Sequence, residues 1–408
     1  MRIATRGVAV LLPLAASVSL SALAYQPQVA YRGSVDLMAS EALIMTGTGM
    51  PEVSAAWISH VTDEFIKPTI GGSFSGVPLK TPEQFWPFTG LASLTLEASI
   101  RIGWEILDSS LKAVIAQNVQ NGAPLDPLAV FGYSQSSIIA SVGKQFLTLL
   151  AGSGAQLPSI SFVLLANPIR PNGGLFSRLD NLGLVSWASI NSTPTSTPFP
   201  TVDIARQYDF FADFPTDPGN YLAVANAVAG LLNHDYGEVS LDPASVNFDP
   251  NTVVQHYGDS TYYLIPSEHL PLLVPLRAVG MGSLADAIEP TLRALVDLGY
   301  DRTAPYGEFV PAQSLPVTDT AALNRELGVA FQQGLTAVES EFSRSLATAP
   351  AAATVPEKTQ AIARESLRSG QRSDSPKTRS ASRALTGLRR GAATDVPNPK
   401  QRRPSQAG

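Results

Sequence analysis

The chain has 408 residues, room for one large domain or two ordinary ones at the usual ~100–200 residues each. Apolar residues make up 44% and charged residues 15%, which predicts a sizeable buried core and excludes a globally disordered chain. A net charge of −6 argues against a general nucleic-acid binder, and the absence of cysteine removes disulfides, thiolate metal sites and cysteine nucleophiles together. The charge is unevenly spread: residues 341–408 carry 13 Lys+Arg against 5 Asp+Glu, the remainder 15 against 29.

At the N-terminus Arg2 and Arg6 precede an apolar stretch, Val8–Leu23, that closes on Ala22-Leu23-Ala24. A positive region, an apolar stretch and an A-x-A site are the parts of an export signal. The stretch falls short of the ~20 apolar residues of a comfortable membrane span. Residues 1–24 are therefore expected to be a signal cleaved after Ala24, with an uncleaved anchor as the alternative. Either way the body, residues 25–340, is expected outside the cytoplasmic membrane, in the cell envelope or secreted.

From about Ala42 to Leu298 the pattern alternates. Short apolar runs at Ala42–Met45, Pro127–Phe131, Ile160–Leu165 and Val202–Tyr208 read as buried strands. Between them Leu94–Asn118, Ser136–Leu150 and Asn220–Leu232 repeat apolar residues three and four apart, as helices do. This alternation predicts an α/β fold with a mostly parallel sheet covered on both faces. Between Asn167 and Pro200 the chain is rich in Pro, Gly, Ser and Thr, which suggests a lid-like insertion whose Leu175, Phe176, Leu182, Leu184, Val185 and Trp187 suit an acyl chain. Residues 341–408 read as a disordered basic tail.

The most informative segment is Leu128–Ala140 (LAVFGYSQSSIIA). An apolar strand runs into Gly132-Tyr133-Ser134-Gln135-Ser136, and helical periodicity starts at once. Such a strand-to-helix turn lifts a serine Oγ clear of the sheet. The helix N-terminus brings a positive dipole end to where an oxyanion would form, making the Gln135 N–H one oxyanion donor. A second match to the spacing, Gly71-Gly72-Ser73-Phe74-Ser75, has neither strand before it nor helix after it and reads as a loop.

A serine nucleophile needs a base, and the base an orienting acid. The run Val202–Tyr208 leads to Asp209, the best-placed acid; Asp213 is its rival, and Asp203 lies inside the strand. His234, in the loop after the third helical stretch, is the candidate base. His256, in a predicted hairpin over Val253–Leu264, and His269, ahead of the apolar run Leu270–Leu276, stay open as alternatives. His60 lies in a helical stretch before the elbow. After the first strand, Met45–Pro51 (MTGTGMP) lets backbone approach a substrate, so an N–H near Thr48 is the second oxyanion candidate. This chemistry needs no metal or organic cofactor.

In their order, Thr46–Pro51, Gly132–Ser136, Asn167–Gly174 (NPIRPNGG), Tyr208–Pro215 (YDFFADFP) and Tyr262–Pro266 with Leu270–Leu273 resemble the PE-PPE domain of mycobacteria, over roughly Glu41–Tyr300. The resemblance implies a cutinase-like α/β-hydrolase fold, serine esterase activity on lipid-type esters, and a triad carried onto Ser134, Asp209 and His234. Some members of that family are acyltransferases that build trehalose lipids outside the membrane. Two features depart from the pattern: an export signal stands where the N-terminal PE or PPE helical module is expected, and the basic tail has no counterpart.

The leading expectation is an exported serine esterase or lipase that forms an acyl-serine and releases it to water. An acyltransferase passing the acyl group to a sugar hydroxyl is the second. A non-catalytic envelope protein that uses the hydrolase fold for binding is the third. The partners expected are an acyl-ester or lipid substrate, a sugar acceptor for transfer, and an envelope or membrane surface, with no nucleic acid.

Overall fold

The computed structural model describes residues 40–120, 126–233, 236, 238–315 and 320–348. Seven strands form one sheet: β1 (Ser40–Ile44), β2 (Phe74–Pro78), β3 (Leu128–Tyr133), β4 (Ile160–Leu165), β5 (Thr201–Arg206), β6 (Val253–Tyr257) and β7 (Ser260–Ile265), in the order β2-β1-β3-β4-β5-β7-β6. All neighbours are parallel except the β6–β7 hairpin, whose turn carries Gly258 at φ 59°. Helices α1 (Ala55–Val61) and α2 (Lys67–Ile70) lie between β1 and β2, joined by a π-helical turn over Thr62–Ile66. Helices α3 (Leu96–Gln120) and α4 (Gln135–Gly152) flank β3, and α5 (Leu175–Arg178) lies between β4 and β5. Helices α6 (Tyr221–Asn233), α7 (Val274–Ala278), α8 (Gly282–Asp297) and α9 (Thr320–Thr348) complete the described helices.

The central strands β3 and β4 are almost wholly apolar, with Ser161 the exception, because both faces are covered. Leu43, Val130, Phe162 and Leu164 point into a core with Leu107 and Leu111 of α3 and Ile138, Ile139 and Val142 of α4. The alternate residues Ala42, Ile44, Ala129, Phe131, Val163 and Leu165 meet Val61, Phe65, Ile66 and Tyr236 on the opposite face. Successive strand side chains serve opposite layers, as a pleated strand requires.

The chain order places a switch point between β1 and β3. From β1 the chain leaves towards β2 on one side, whereas from β3 it proceeds to β4 on the other. Loops at the carboxyl ends of two such strands diverge and leave a crevice, where α/β folds bind ligands. Here those loops are Met45–Pro51 and the turn at Ser134.

Three expectations are modified. Strand β2 was not visible as an apolar run, because an edge strand with Gly76 and Pro78 pairs on one side only. The Asn167–Pro200 insertion is a packed layer, with Asn167, Ile169, Arg170, Asn172, Ser177 and Arg178 all buried. Arg170 pairs with Asp203 of β5 at 2.9 Å, Asn167 bonds the same carboxylate at 2.8 Å, and Lys144 of α4 reaches the Pro194 carbonyl at 2.7 Å. Finally, α9 continues past residue 340 to Thr348.

The chain divides into two units, Met1–Arg344 and Ser345–Gly408; of the second, only Ser345–Thr348 is described, as the end of α9. Residues 1–24 and 349–408 lie outside the described residues. No helix among the described residues is long and apolar enough to cross a membrane.

Candidate active site

Ser134 occupies the junction of β3 and α4 with φ 54° and ψ −115°, a conformation few non-glycine residues adopt. Its surroundings enforce it. The Ser134 N–H donates to the Leu165 carbonyl at 2.8 Å, the Tyr133 N–H to Ser136 Oγ at 2.8 Å, and the Ser137 hydroxyl to the carbonyls of Gly132 (2.8 Å) and Leu165 (3.0 Å). A Cβ on Gly132 would lie 2.5 Å from the Ser136 carbonyl oxygen, so glycine is required where the helix crosses back over the strand. Ser134 and Tyr133 are partly exposed, while Gly132 and Gln135 are buried. Ser73, the other spacing match, sits exposed ahead of β2.

The loop after β1 lies against this serine. A Cβ on Gly47 would come within 3.1 Å of the Ser134 Cβ, so the two loops touch at the switch point. The turn is closed by the Thr46 hydroxyl donating to the Met50 carbonyl and the Met50 N–H donating to Gly47 at 2.9 Å. Thr48 donates its hydroxyl to Gln135 Oε1 at 3.0 Å, and Gln135 Nε2 donates to Ser99 Oγ at 2.6 Å. As the first residue of α4, Gln135 has no intrahelical acceptor for its N–H. The structure thus brings together Ser134, Gln135 and Thr48.

The two candidate acids share one loop after β5. Asp209 is buried; its Oδ1 accepts the N–H groups of Phe211 (2.7 Å) and Ala212 (2.8 Å), and its Oδ2 accepts the Tyr236 hydroxyl at 2.8 Å. Burial keeps the Tyr236 phenol protonated far above neutrality, so it remains a donor. Asp213 is gripped by both nitrogens of the Arg302 fork at 2.6 and 2.7 Å. Burial would raise its pKa, but the guanidinium prevails and holds it below the usual carboxylate value. Asp203 is spoken for by Arg170, as its place within the strand suggested.

His234 lies outside the described residues, between Asn233 at the end of α6 and Tyr236. Tyr236 joins the two ends of the site: its hydroxyl is on Asp209, and its ring meets that of Tyr133, next to Ser134, edge-on at 5.9 Å. The alternative bases are engaged elsewhere. His256 is exposed on β6 with Nδ1 2.9 Å from Thr261 Oγ1, and His269 has Nδ1 3.2 Å from Glu289 Oε2. His60 Nε2 is 3.4 Å from the Tyr236 carbonyl. His269, Asp286 and Glu289 form a cluster of metal-ligand type, yet Arg277 already bridges both carboxylates at 2.6 and 2.7 Å.

The insertion's apolar residues divide. Leu175 and Phe176 cluster with Phe210, Phe211 and Phe214 of the acid loop and with Val224 and Ala227 of α6. Val185, Leu184 and Trp187 pack on the α3–α4 core, and Leu182 is exposed. Sequence reasoning did not find Tyr236, for no pattern distinguishes it from other tyrosines near a histidine.

Against known proteins, the PE-PPE domain matches residues 75–301, more than half of the chain. The chain belongs to the PE-PPE domain family. Esterase PE16 of Mycobacterium tuberculosis is 39% identical over 305 residues, covering 73% of this chain and 56% of PE16. The SL1278 acyltransferase Chp1 of the same organism is 28% identical over 277 residues, 64% of each chain. Its diacyltrehalose acyltransferase Chp2 is 36% identical over 110 residues, 26% of this chain and 30% of Chp2. The chain spans about half the length of PE16.

Proposed function

We propose that this PE-PPE protein is a serine hydrolase of acyl esters in which Ser134 is the nucleophile, His234 the general base and Asp209 the acid that orients it. The observation that carries the reading is the Ser134 backbone, held at a costly φ of 54° between a strand and a helix by bonds from the neighbouring strand. Strain of this kind clusters at active sites and ligand clamps, and here it falls on a partly exposed serine.

In this reading Ser134 Oγ attacks the ester carbonyl carbon while His234 takes the hydroxyl proton. The carbonyl oxygen becomes an oxyanion facing the N–H groups of Gln135 and Thr48, whose loops meet at the switch point. As the tetrahedral species collapses, the C–O bond to the alcohol breaks and the imidazolium returns the proton to the departing alkoxide. Water then repeats the sequence on the acyl-serine and releases the acid. Asp209 orients the His234 imidazole, a role that suits a side chain whose two oxygens are fixed by two backbone N–H groups and a phenol. The phenylalanines at 210, 211 and 214, with Leu175 and Phe176, supply an apolar wall on the acid's own loop for an acyl chain.

Similarity to Esterase PE16 supports water as the acceptor. Similarity to Chp1 and Chp2 supports a second reading, in which a sugar hydroxyl replaces water in the second half-reaction. Export through residues 1–24 belongs to both.

Fluorophosphonate labelling of the full chain tests the nucleophile. Label is expected on wild type and Ser73→Ala and absent from Ser134→Ala; a folded wild type that takes no label, or label surviving in Ser134→Ala, overturns the reading. Incubating labelling-competent enzyme with a fatty acyl ester and trehalose then separates the two acceptors by product, free acid or acylated sugar.

A further inference from the structure

Glu83, between β2 and α3, is 1% exposed and adopts φ 48°, although it is neither glycine nor asparagine. Its carbonyl accepts the Gly49 N–H at 2.8 Å, in the turn that carries Thr48. Its carboxyl is tied by the Thr81 hydroxyl to Oε1 at 2.5 Å, and Oε2 is buried with no partner among the described residues. The next residue reaches the same turn from the other side. The Gln84 N–H donates to Ser99 Oγ at 3.0 Å, Ser99 Oγ also accepts from Gln135 Nε2, and Gln135 Oε1 accepts the Thr48 hydroxyl. Residues 83 and 84 thus hold Thr48 and Gln135 along two converging paths.

A buried carboxyl with an unsatisfied oxygen on a strained backbone is unfavourable on both counts, and apolar packing would be cheaper. We propose that Glu83 is a positioning residue of the active site: its left-handed backbone aims its carbonyl at the Gly49 N–H, fixing the Thr48 turn beside Ser134, and its buried carboxyl, anchored on Thr81, locks that backbone in place. This rests on the assignment of the Thr48 turn to the oxyanion hole. Burial pushes the carboxyl's pKa up to about 8, so near pH 7 it is neutral and glutamine reproduces its shape and charge.

The experiment uses the full chain with Glu83→Ala, Glu83→Gln and Thr81→Val, read by steady-state kinetics on p-nitrophenyl butyrate and by hydrogen exchange of peptides covering residues 45–52. Glu83→Ala is expected to lower kcat about 10- to 100-fold with KM within about twofold, less than the roughly 10²- to 10³-fold cost of losing an oxyanion donor outright, and to speed exchange at Gly49. Glu83→Gln recovers most of both, and Thr81→Val falls between. A Glu83→Ala protein with wild-type exchange over 45–52 overturns the proposal, as does a Glu83→Gln variant no better than alanine. If Glu83→Ala does not fold, Thr81→Val carries the same comparison. Should wild type turn over no ester and take no label at Ser134, the hydrolase reading fails while the exchange readout still decides whether Glu83 holds the turn.

Discussion

Asp209 accepts the N–H groups of Phe211 and Ala212 and the Tyr236 hydroxyl, whereas Asp213, four residues on, is clamped by the Arg302 fork. Replacing each by asparagine should therefore separate catalysis from stability. Asp209→Asn keeps an acceptor for the two N–H groups, so the fold survives while kcat falls about 10³- to 10⁴-fold. Asp213→Asn leaves Arg302 without its counter-charge and should cost about 3 kcal/mol in urea unfolding, with residual activity tracking the folded fraction. Equal loss of kcat in both, at equal stability, would undo the distinction. At this scale the sequence was legible where residue type carries the chemistry: Ser134 stood out because a strand, a tight turn and a helix surround it. Glu83 did not, since nothing in Thr81-Pro82-Glu83 announces a left-handed backbone, and Tyr236 acts through a hydroxyl whose partner lies 27 positions earlier.

At the level of elements, strands buried on both faces declared themselves as mostly apolar runs, and helices α3, α4 and α6 as three-and-four spacing; their ends lie within two residues of expectation. The insertion between β4 and β5 was misleading because its anchors are polar. Arg170, Asn167 and Arg178 have loop-like composition yet are buried against partners far away in sequence. Lys144 shows the same logic from the helix side: fully buried on α4, it binds Asp259 in the β6–β7 turn at 2.8 Å and the Pro194 carbonyl at 2.7 Å. One ammonium thus ties helix, hairpin and insertion together. Lys144→Met removes it and leaves the Asp259 carboxylate underpaired, a loss expected to lower unfolding free energy by about 2–4 kcal/mol and to speed hydrogen exchange at residues 194–200. Unchanged exchange there would mean that the insertion stands without this tie.

For the molecule as a whole, the raised carboxyl of Glu83 couples folding to pH. Its proton is bound in the folded state up to about pH 8 and in the unfolded chain only up to about 4.5. Between those values the folded state holds more protons, so stability falls as pH rises; the contribution is complete below 4.5 and lost by about 8. At pH 7 the penalty is on the order of 3 kcal/mol. Asp213 runs the other way, since its lowered pKa stabilises the fold above the ordinary carboxylate range and is lost in acid. Thermal melts of wild type and Glu83→Gln between pH 5 and 8.5 isolate the first effect: wild type should lose Tm relative to the variant as pH rises, and a constant difference would refute it.

The positive φ of Ser134 bears on how such a protein ages. Glycine adopts that backbone freely, so the residue proposed as nucleophile is also one where losing the side chain relieves strain of roughly 1–3 kcal/mol. A gene copy released from selection would find inactivation at this codon thermodynamically downhill, and would persist as a sturdier protein with an empty elbow. Under the proposed mechanism, retention of a serine here is a record of continuing use.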